Sequence, residues 1–124
     1  MPLLLDDWIQ PEWPAPAHVR AVMTDRLGGH SLAPWDSLNL GDHVGDDPVH
    51  VQANRQLLQQ RIGTRPVFLK QVHGMHVQPL HAQVQDGTIA DACLTEQPGV
   101  ACTIMVADCL PVLMLSLIHI SEPT

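Results

Sequence analysis

A histidine and a cysteine stand at the ends of two strand-like segments, where side chains can meet to form a site. His73 ends the segment KQVHG, and Cys109 lies in the segment VADCLP. Imidazole and thiolate are both good zinc ligands, and a catalytic zinc needs three protein ligands and one open position for water. The alternatives are a histidine in an ordinary turn and a cysteine that only packs. The spacing therefore leaves a metal site as a hypothesis.

One helix and several strands must position these residues. The segment DDPVHVQANRQLLQQRIG predicts a helix with Asp47 as N-cap, Pro48 in the first turn and Gly63 after the last turn. Val51, Leu58 and Ile62 fall on one apolar face of this helix, with Leu57 beside them. Strands are predicted in VRAVMTD, PVFLKQVHG, HVQPL, IADACLT and VACTIMVADCLPVLM.

The order of these elements is strand, long loop, helix and then several strands. This order favours an α+β domain with a mixed β-sheet core and flanking helices over a βαβ array. The run from Val100 to Val106 is nearly all apolar, which predicts a strand covered on both faces.

Size and composition restrict the class of protein. The 124 residues suffice for one small domain, and the net charge of -7 argues against a general binder of nucleic acids or anionic membranes. The three cysteines are odd in number and lack CxxC spacing, which favours reduced thiols in the cytoplasm. The N-terminus lacks a basic start, and no apolar run approaches a membrane span, so we expect a soluble protein.

Five sequence blocks, in this order, resemble the YfiH family, also called the laccase-domain or polyphenol-oxidoreductase family. The blocks are TDRLGGHSLAPWDSLNLGDHVGDD, the helix with NRQLL, KQVHG, ADACLT and VADCLPVLM. Each block alone is unspecific, but the combination is specific and extends from Val19 to Met114.

The resemblance implies a zinc-dependent enzyme that phosphorolyses adenosine, inosine and methylthioadenosine and also deaminates adenosine. It implies that His73 and Cys109 bind zinc, with Cys109 as a thiolate ligand and not as the nucleophile. The family's third ligand, a histidine in a later HAGWRG block, has no counterpart here. A copper-dependent polyphenol oxidase is an alternative, although the eight histidines do not form HxH pairs. A non-catalytic or peptidoglycan-editing protein is another.

The family blocks also indicate residues that would bind the nucleoside and phosphate. These are Arg26, Ser31, Asn39, Arg55 and Gln71. Simpler roles stay open: the RLGGHS glycines can shape a turn, Asn39 can cap its own loop, and Arg55 can lie on the helix surface. Gln71 precedes His73 by two residues, so the two side chains would share a face on a strand. Asp91 and Asp108 are further candidates for orienting ligands.

The last ten residues differ in character from what precedes them. LSLIHISEPT, from Leu115 to Thr124, resembles translated sequencing adapter, although a natural strand with an acidic tail is the alternative. We therefore interpret residues 1–114 as the N-terminal part of a single YfiH-like domain, 115–124 as a non-native tail, and do not assign His119 as a ligand. With two ligands, the chain is expected to bind zinc weakly and to have no useful turnover.

Overall fold

The computed structural model describes residues 8–116, and its one helix there, α1, extends over Pro48–Ile62. The Asp47 carboxylate accepts a hydrogen bond from the Val49 N–H at 2.9 Å, which satisfies one of the free donors of the first turn. Gly63 ends the helix with φ 75°, and its N–H donates to the Gln59 carbonyl at 3.0 Å. Glycine adopts this left-handed conformation without the strain caused by a Cβ. Both predicted helix ends are confirmed.

In the described part of the chain, four short strands form two parallel pairs. They are β1 (Arg65–Phe68), β2 (Val77–Pro79), β3 (Ala92–Leu94) and β4 (Val100–Thr103). β1 pairs with β4, with Val67 opposite Cys102, and β2 pairs with β3, with Gln78 opposite Cys93. The predicted α+β class is confirmed, and the described part of the sheet core consists of these two parallel pairs.

Three strand predictions were clearly too long. PVFLKQVHG forms a strand only as far as Phe68, the end of β1. VRAVMTD forms one antiparallel bridge, Ile9 to Met23, because among residues 8–116 only that pair makes ladder hydrogen bonds with this segment. The apolar run after Val100 leaves strand geometry at Thr103, and Cys102 and Ile104 are exposed, so this strand is not covered on both faces within residues 8–116. Apolar composition reports what a strand can bury, whereas coverage depends on what packs against it.

Two hydrophobic clusters lie on opposite faces of β1. Val67 belongs to one cluster with Leu69, Leu80, Val84, Ala90 and Val100, and Phe68 belongs to the other with Trp8, Leu38 and Leu58. Successive side chains of a strand point to opposite faces, so β1 contributes to both clusters. The predicted helix face is confirmed, since Val51 and Leu58 are buried and Leu57 and Ile62 pack against the second cluster.

No helix within residues 8–116 is both long and apolar enough to cross a membrane. The predicted tail lies largely outside the described residues: 117–124, which include His119, are not described.

Candidate functional site

A carboxylate fixes the turn that carries His73. The backbone N–H groups of Val72 and His73 donate to Oδ1 of Asp91 at 2.9 and 2.8 Å, and the N–H of Gly74 donates to Oδ2 at 2.7 Å. The pKa of Asp91 is lowered, and the Gly74 N–H is the largest cause. The N–H groups of His73 and Val72 lower it as well, and the three together outweigh partial burial, which raises it. Asp91 directly precedes β3, so the sheet anchors this turn.

The anchored turn presents His73 to solvent. His73 has φ 60°, a left-handed conformation that is uncommon for a residue with a side chain, and it is exposed. Three hydrogen bonds to one carboxylate hold the backbone in this conformation. The imidazole is therefore displayed on a fixed base, as a ligand or a proton-transfer group requires.

Gln71 connects the His73 segment to the segment that leads to Cys109. Its side-chain amide donates to the Met105 carbonyl at 2.9 Å, and its carbonyl oxygen accepts from the Met105 N–H at 2.8 Å. Met105 precedes Cys109 by four residues, so the two segments are joined near their bases. The prediction that Gln71 and His73 share a strand face is wrong, because β1 ends at Phe68 and the strand alternation does not extend to them.

Cys109 is exposed on a bend, beside Asp108, which is also exposed. Imidazole and thiolate are a suitable donor set for zinc, and both His73 and Cys109 are open to solvent. Within residues 8–116, however, no group of three or more His, Cys, Asp or Glu side chains is gathered as a metal site. The donors fit zinc in type, and the described part of the chain supplies fewer than the three that a catalytic zinc requires.

Ser31 and Asn39 meet in a polar network that closes the long loop before α1. The Ser31 hydroxyl donates to Oδ2 of Asp46 at 2.5 Å, and the Asn39 amide donates to the same oxygen at 3.1 Å. Partial burial raises the pKa of Asp46, but the hydrogen bonds from Ser31, Asn39 and the Asp47 N–H together have the larger effect. The pKa is therefore lowered overall. Asn39 also binds the backbone of Gly41 in both directions, which is the loop-capping role considered as its alternative.

Asn54 is the centre of this network, and the sequence analysis missed it. It is fully buried in α1, where its amide donates to the Asn39 carbonyl at 2.7 Å and to the Ser31 hydroxyl at 2.9 Å. Its carbonyl oxygen accepts from the His30 N–H at 2.7 Å. The available signal was spacing: Asn54 lies three residues after Val51 and four before Leu58, on the buried face of the helix.

Gly29 permits the loop to approach Asn54. A Cβ at this position would lie 2.7 Å from Oδ1 of Asn54 and still closer to the Ser37 carbonyl oxygen. Of the two adjacent glycines in RLGGHS, Gly29 is therefore required by close approach, whereas Gly28 has the left-handed φ of 87° that favours glycine.

Arg55 points inward from α1 and not to the solvent. Only 11% of its side chain is exposed, its Nε donates to the Leu40 carbonyl at 2.9 Å, and its guanidinium lies 4.1 Å from the centroid of the Phe68 ring. Asp42 and Asp86 lie 3.7 and 3.9 Å from its terminal nitrogens. Two carboxylates thus offset its charge, and an incoming phosphate would have to compete with them.

Arg26 lies in the same loop but apart from the network. Its Nε donates to the Asp36 carbonyl at 2.9 Å, and its guanidinium lies 3.8 Å from the Asp36 carboxylate, with 71% of the side chain exposed. An exposed ion pair is weak, so this guanidinium can exchange its partner readily.

The fold and these exposed donors define a small α+β domain with a histidine and a cysteine on neighbouring, mutually bonded segments. Residues 20–119 match the family described as multi-copper polyphenol oxidoreductase laccase, and the chain belongs to this family.

Curated relatives of this chain share a common description. A purine nucleoside phosphorylase of Pseudomonas aeruginosa is 54% identical over 109 residues, which cover 88% of this chain and 44% of that protein. The purine nucleoside phosphorylase YfiH of Escherichia coli is 48% identical over 107 residues, covering 85% of this chain and 44% of the relative. The chain thus spans less than half the length of these proteins.

Solved structures confirm the fold. A Neisseria meningitidis protein superposes with a TM-score of 0.78 at 40% identity, over 83% of this chain and 43% of that one. YlmD from Geobacillus stearothermophilus superposes with a TM-score of 0.66 at 30% identity, over 76% of this chain and 39% of that one.

Proposed function

We propose that this chain carries part of the active site of a zinc-dependent purine nucleoside phosphorylase that also deaminates adenosine. The substrates would be phosphate and the nucleosides adenosine, inosine and methylthioadenosine. The observation that supports this most is the Asp91-anchored turn, which holds an exposed imidazole in an uncommon backbone conformation. Strained backbone persists where surrounding contacts impose it, and such positions cluster at functional sites. The descriptions of the relatives support the reaction class.

His73 and Cys109 would hold the zinc, together with at least one donor beyond those gathered in residues 8–116. When bound, zinc supplies Lewis acidity and lowers the pKa of a coordinated water. The Asp91 carboxylate would keep the His73 backbone fixed during turnover. The Gln71 bonds to Met105 would hold the cysteine segment near the histidine segment.

The five predicted substrate-binding residues would act in two ways. Arg26 is exposed and weakly paired, so it would contact phosphate directly. Arg55 would do so only by exchanging a carboxylate partner. Ser31, Asn39 and Gln71 already bond to the protein itself, so they would chiefly position the loop and the histidine segment.

Zinc titration of the purified 124-residue chain tests the ligand assignment, with a chromophoric chelator as competitor. We expect weak binding, and at least about tenfold weaker binding in His73→Ala and in Cys109→Ser, because each replacement removes one of two donors. His76→Ala is the matched control, since His76 is also exposed and close in sequence but is not assigned to the metal. Equal losses in all three variants would show non-specific binding and refute the assignment.

Activity needs a separate experiment, because the chain alone is expected to show no phosphorolysis or deamination in the presence of zinc. Measurable zinc-dependent turnover by the chain would contradict that expectation. A chimera in which this chain's residues 20–114 replace the matching segment of the Pseudomonas aeruginosa relative supplies the remaining context. Phosphorolysis should survive in the chimera and in its His76→Ala variant, and should be lost in its His73→Ala variant. An active His73→Ala chimera would overturn the proposed function.

Copper-dependent phenol oxidation is a second candidate, favoured by the description of the matching family. The same chimera separates the two. Oxygen uptake with a phenol and copper, lost in His73→Ala and unaffected by phosphate or nucleoside, would favour the oxidase. Phosphate-dependent release of the free base would favour the phosphorylase.

A further inference from the structure

Two cysteines outside the proposed zinc site, Cys93 and Cys102, are in side-chain hydrogen-bond contact where the two sheets meet. Cys93 is the central residue of β3, Cys102 is the third residue of β4, and these two strands contact each other. Cys93 is half-buried against the cluster that contains Val100, whereas Cys102 is exposed. Strand pairing thus brings together two free thiols, one of which solvent reaches directly.

The neighbouring thiols differ in their acidity. Interaction with the Cys102 thiol lowers the pKa of Cys93 to about 7, with burial opposing and the Thr103 backbone assisting. The same contact with Cys93 raises the pKa of Cys102, and burial adds to this effect. Near neutral pH the Cys93 sulfur is therefore partly ionised, while the raised pKa of Cys102 favours its protonated thiol. A thiolate beside a thiol is the combination that thiol oxidation and disulfide formation require.

We propose that Cys93 and Cys102 form a peroxide-sensitive dithiol that closes reversibly to a disulfide between β3 and β4. The proposal is independent of the zinc site and of the proposed enzyme function. It rests on the placement of both thiols on contacting strands.

The chemistry balances with a hydroperoxide as the oxidant. The Cys93 thiolate attacks one peroxide oxygen and the O–O bond breaks, so that Cys93 becomes a sulfenic acid. The departing hydroxide takes up the proton that the Cys93 thiol had released and becomes water. The Cys102 sulfur then attacks the Cys93 sulfur, the S–O bond breaks, and the Cys102 proton leaves with that oxygen as water. Two thiols lose two hydrogen atoms in total, and hydrogen peroxide becomes two molecules of water.

The disulfide would fasten the β2–β3 pair to the β1–β4 pair. Within residues 8–116 the named strands of the two pairs share no ladder hydrogen bonds, and the backbone contact between them is the bridge from Lys70, after β1, to Ile89, before β3. A covalent link across this junction restricts the unfolded chain, so oxidation should raise the thermal midpoint by a few degrees.

The test treats the full chain with hydrogen peroxide, blocks remaining thiols, and maps disulfides by mass spectrometry. Cleavage after Glu96 and before Asp108 places the three cysteines on three separate peptides. We expect the Cys93–Cys102 peptide pair to dominate, and a dithiol reductant to abolish it. Cys102→Ser, a change at an exposed position, should remove the cross-link and leave a Cys93 sulfenic acid that dimedone traps. Cys109→Ser is the matched control and should give an undiminished yield of the cross-link.

Three results would overturn the proposal. One is a cross-link from Cys93 to Cys109 that exceeds the one to Cys102. Another is oxidation of Cys93 to a sulfinic acid with no cross-link. The third is the same mixture of pairings from the folded chain as from the chain unfolded in urea, because proximity in the fold would then play no part.

Discussion

At the scale of single residues, Asn54 shows how one buried amide can organise a loop of more than twenty residues. An asparagine side chain offers two donors and an acceptor, and here they bond Asn39, Ser31 and His30. All three partners precede the helix in sequence, so the loop packs back against a side chain of the helix that follows it. Two residues predicted to bind substrate, Ser31 and Asn39, obtain their positions from this contact.

Replacing Asn54 by alanine should therefore cost far more than an ordinary change in a helix. The variant leaves a backbone N–H, a carbonyl and a hydroxyl without their buried partner, and we expect a loss of about 2–4 kcal/mol in the free energy of unfolding. Urea titration followed by circular dichroism measures it. Gln56→Ala, at an exposed position of the same helix, should change stability by less than about 0.5 kcal/mol. A loss at Asn54 as small as that of the control would contradict the role assigned to the network.

Residue types alone predicted part of the candidate site. The blocks KQVHG and VADCLP indicated His73 and Cys109, and both lie exposed on bends. The sequence named Asp91 as a candidate for orienting a ligand but could not pair it with His73: the two are eighteen residues apart, and only the fold brings the carboxylate to the turn. The inward orientation of the Arg55 side chain could not be predicted from the sequence either, because it depends on contacts with Leu40 and Phe68.

At the scale of elements, local signals were reliable where the cause was local. The ends of α1 depend on Asp47 and Gly63, which act within a few residues, and both were predicted. Strand lengths depend on partners distant in sequence, and those predictions failed at VRAVMTD and after Thr103. A strand needs a neighbour to define its extent, whereas a helix satisfies most of its hydrogen bonds within itself.

The loop that precedes α1 should respond to acid through Asp46. Its pKa is lowered in the folded chain: partial burial raises it, but the bonds from Ser31, Asn39 and the Asp47 N–H outweigh that effect. Because the pKa of Asp46 is lower in the folded chain, its ionised form stabilises the fold. This stability is fully present at pH values above the pKa in the unfolded chain, about 3.9, and is lost as the pH falls through the pKa in the folded chain. Asp46→Asn should therefore lower the thermal midpoint at neutral pH and flatten its decline in acid.

Thermal unfolding between about pH 7 and pH 2 checks this expectation. Asp108→Asn is the control, because it removes an exposed carboxylate outside the loop network and should leave the acid decline as it is. An Asp46→Asn profile parallel to that of the unchanged chain would show that the loop does not depend on this ionisation.

At the scale of the whole molecule, β1 joins two clusters that otherwise involve different residues. Val67 is fully buried in one and Phe68 is nearly so in the other. A change on one face of the strand moves the backbone that carries the opposite face, because close-packed interiors transmit displacement. The two clusters should therefore lose their structure together, in one cooperative transition.

Val67→Ala tests this coupling, since it removes two methyl groups from the first cluster only. At about 0.8 kcal/mol per group, plus the cost of the cavity, the free energy of unfolding should fall by about 2 kcal/mol. Trp8 fluorescence reports on the second cluster, in a background where Trp13 and Trp35 are replaced by phenylalanine. Alkylation of Cys93 reports on the first cluster, in a background where Cys102 and Cys109 are replaced by serine. Both transitions should move to lower urea by the same amount. Val49→Ala, on the exposed face of α1, should move neither, and a shift confined to Cys93 would show that the clusters unfold independently.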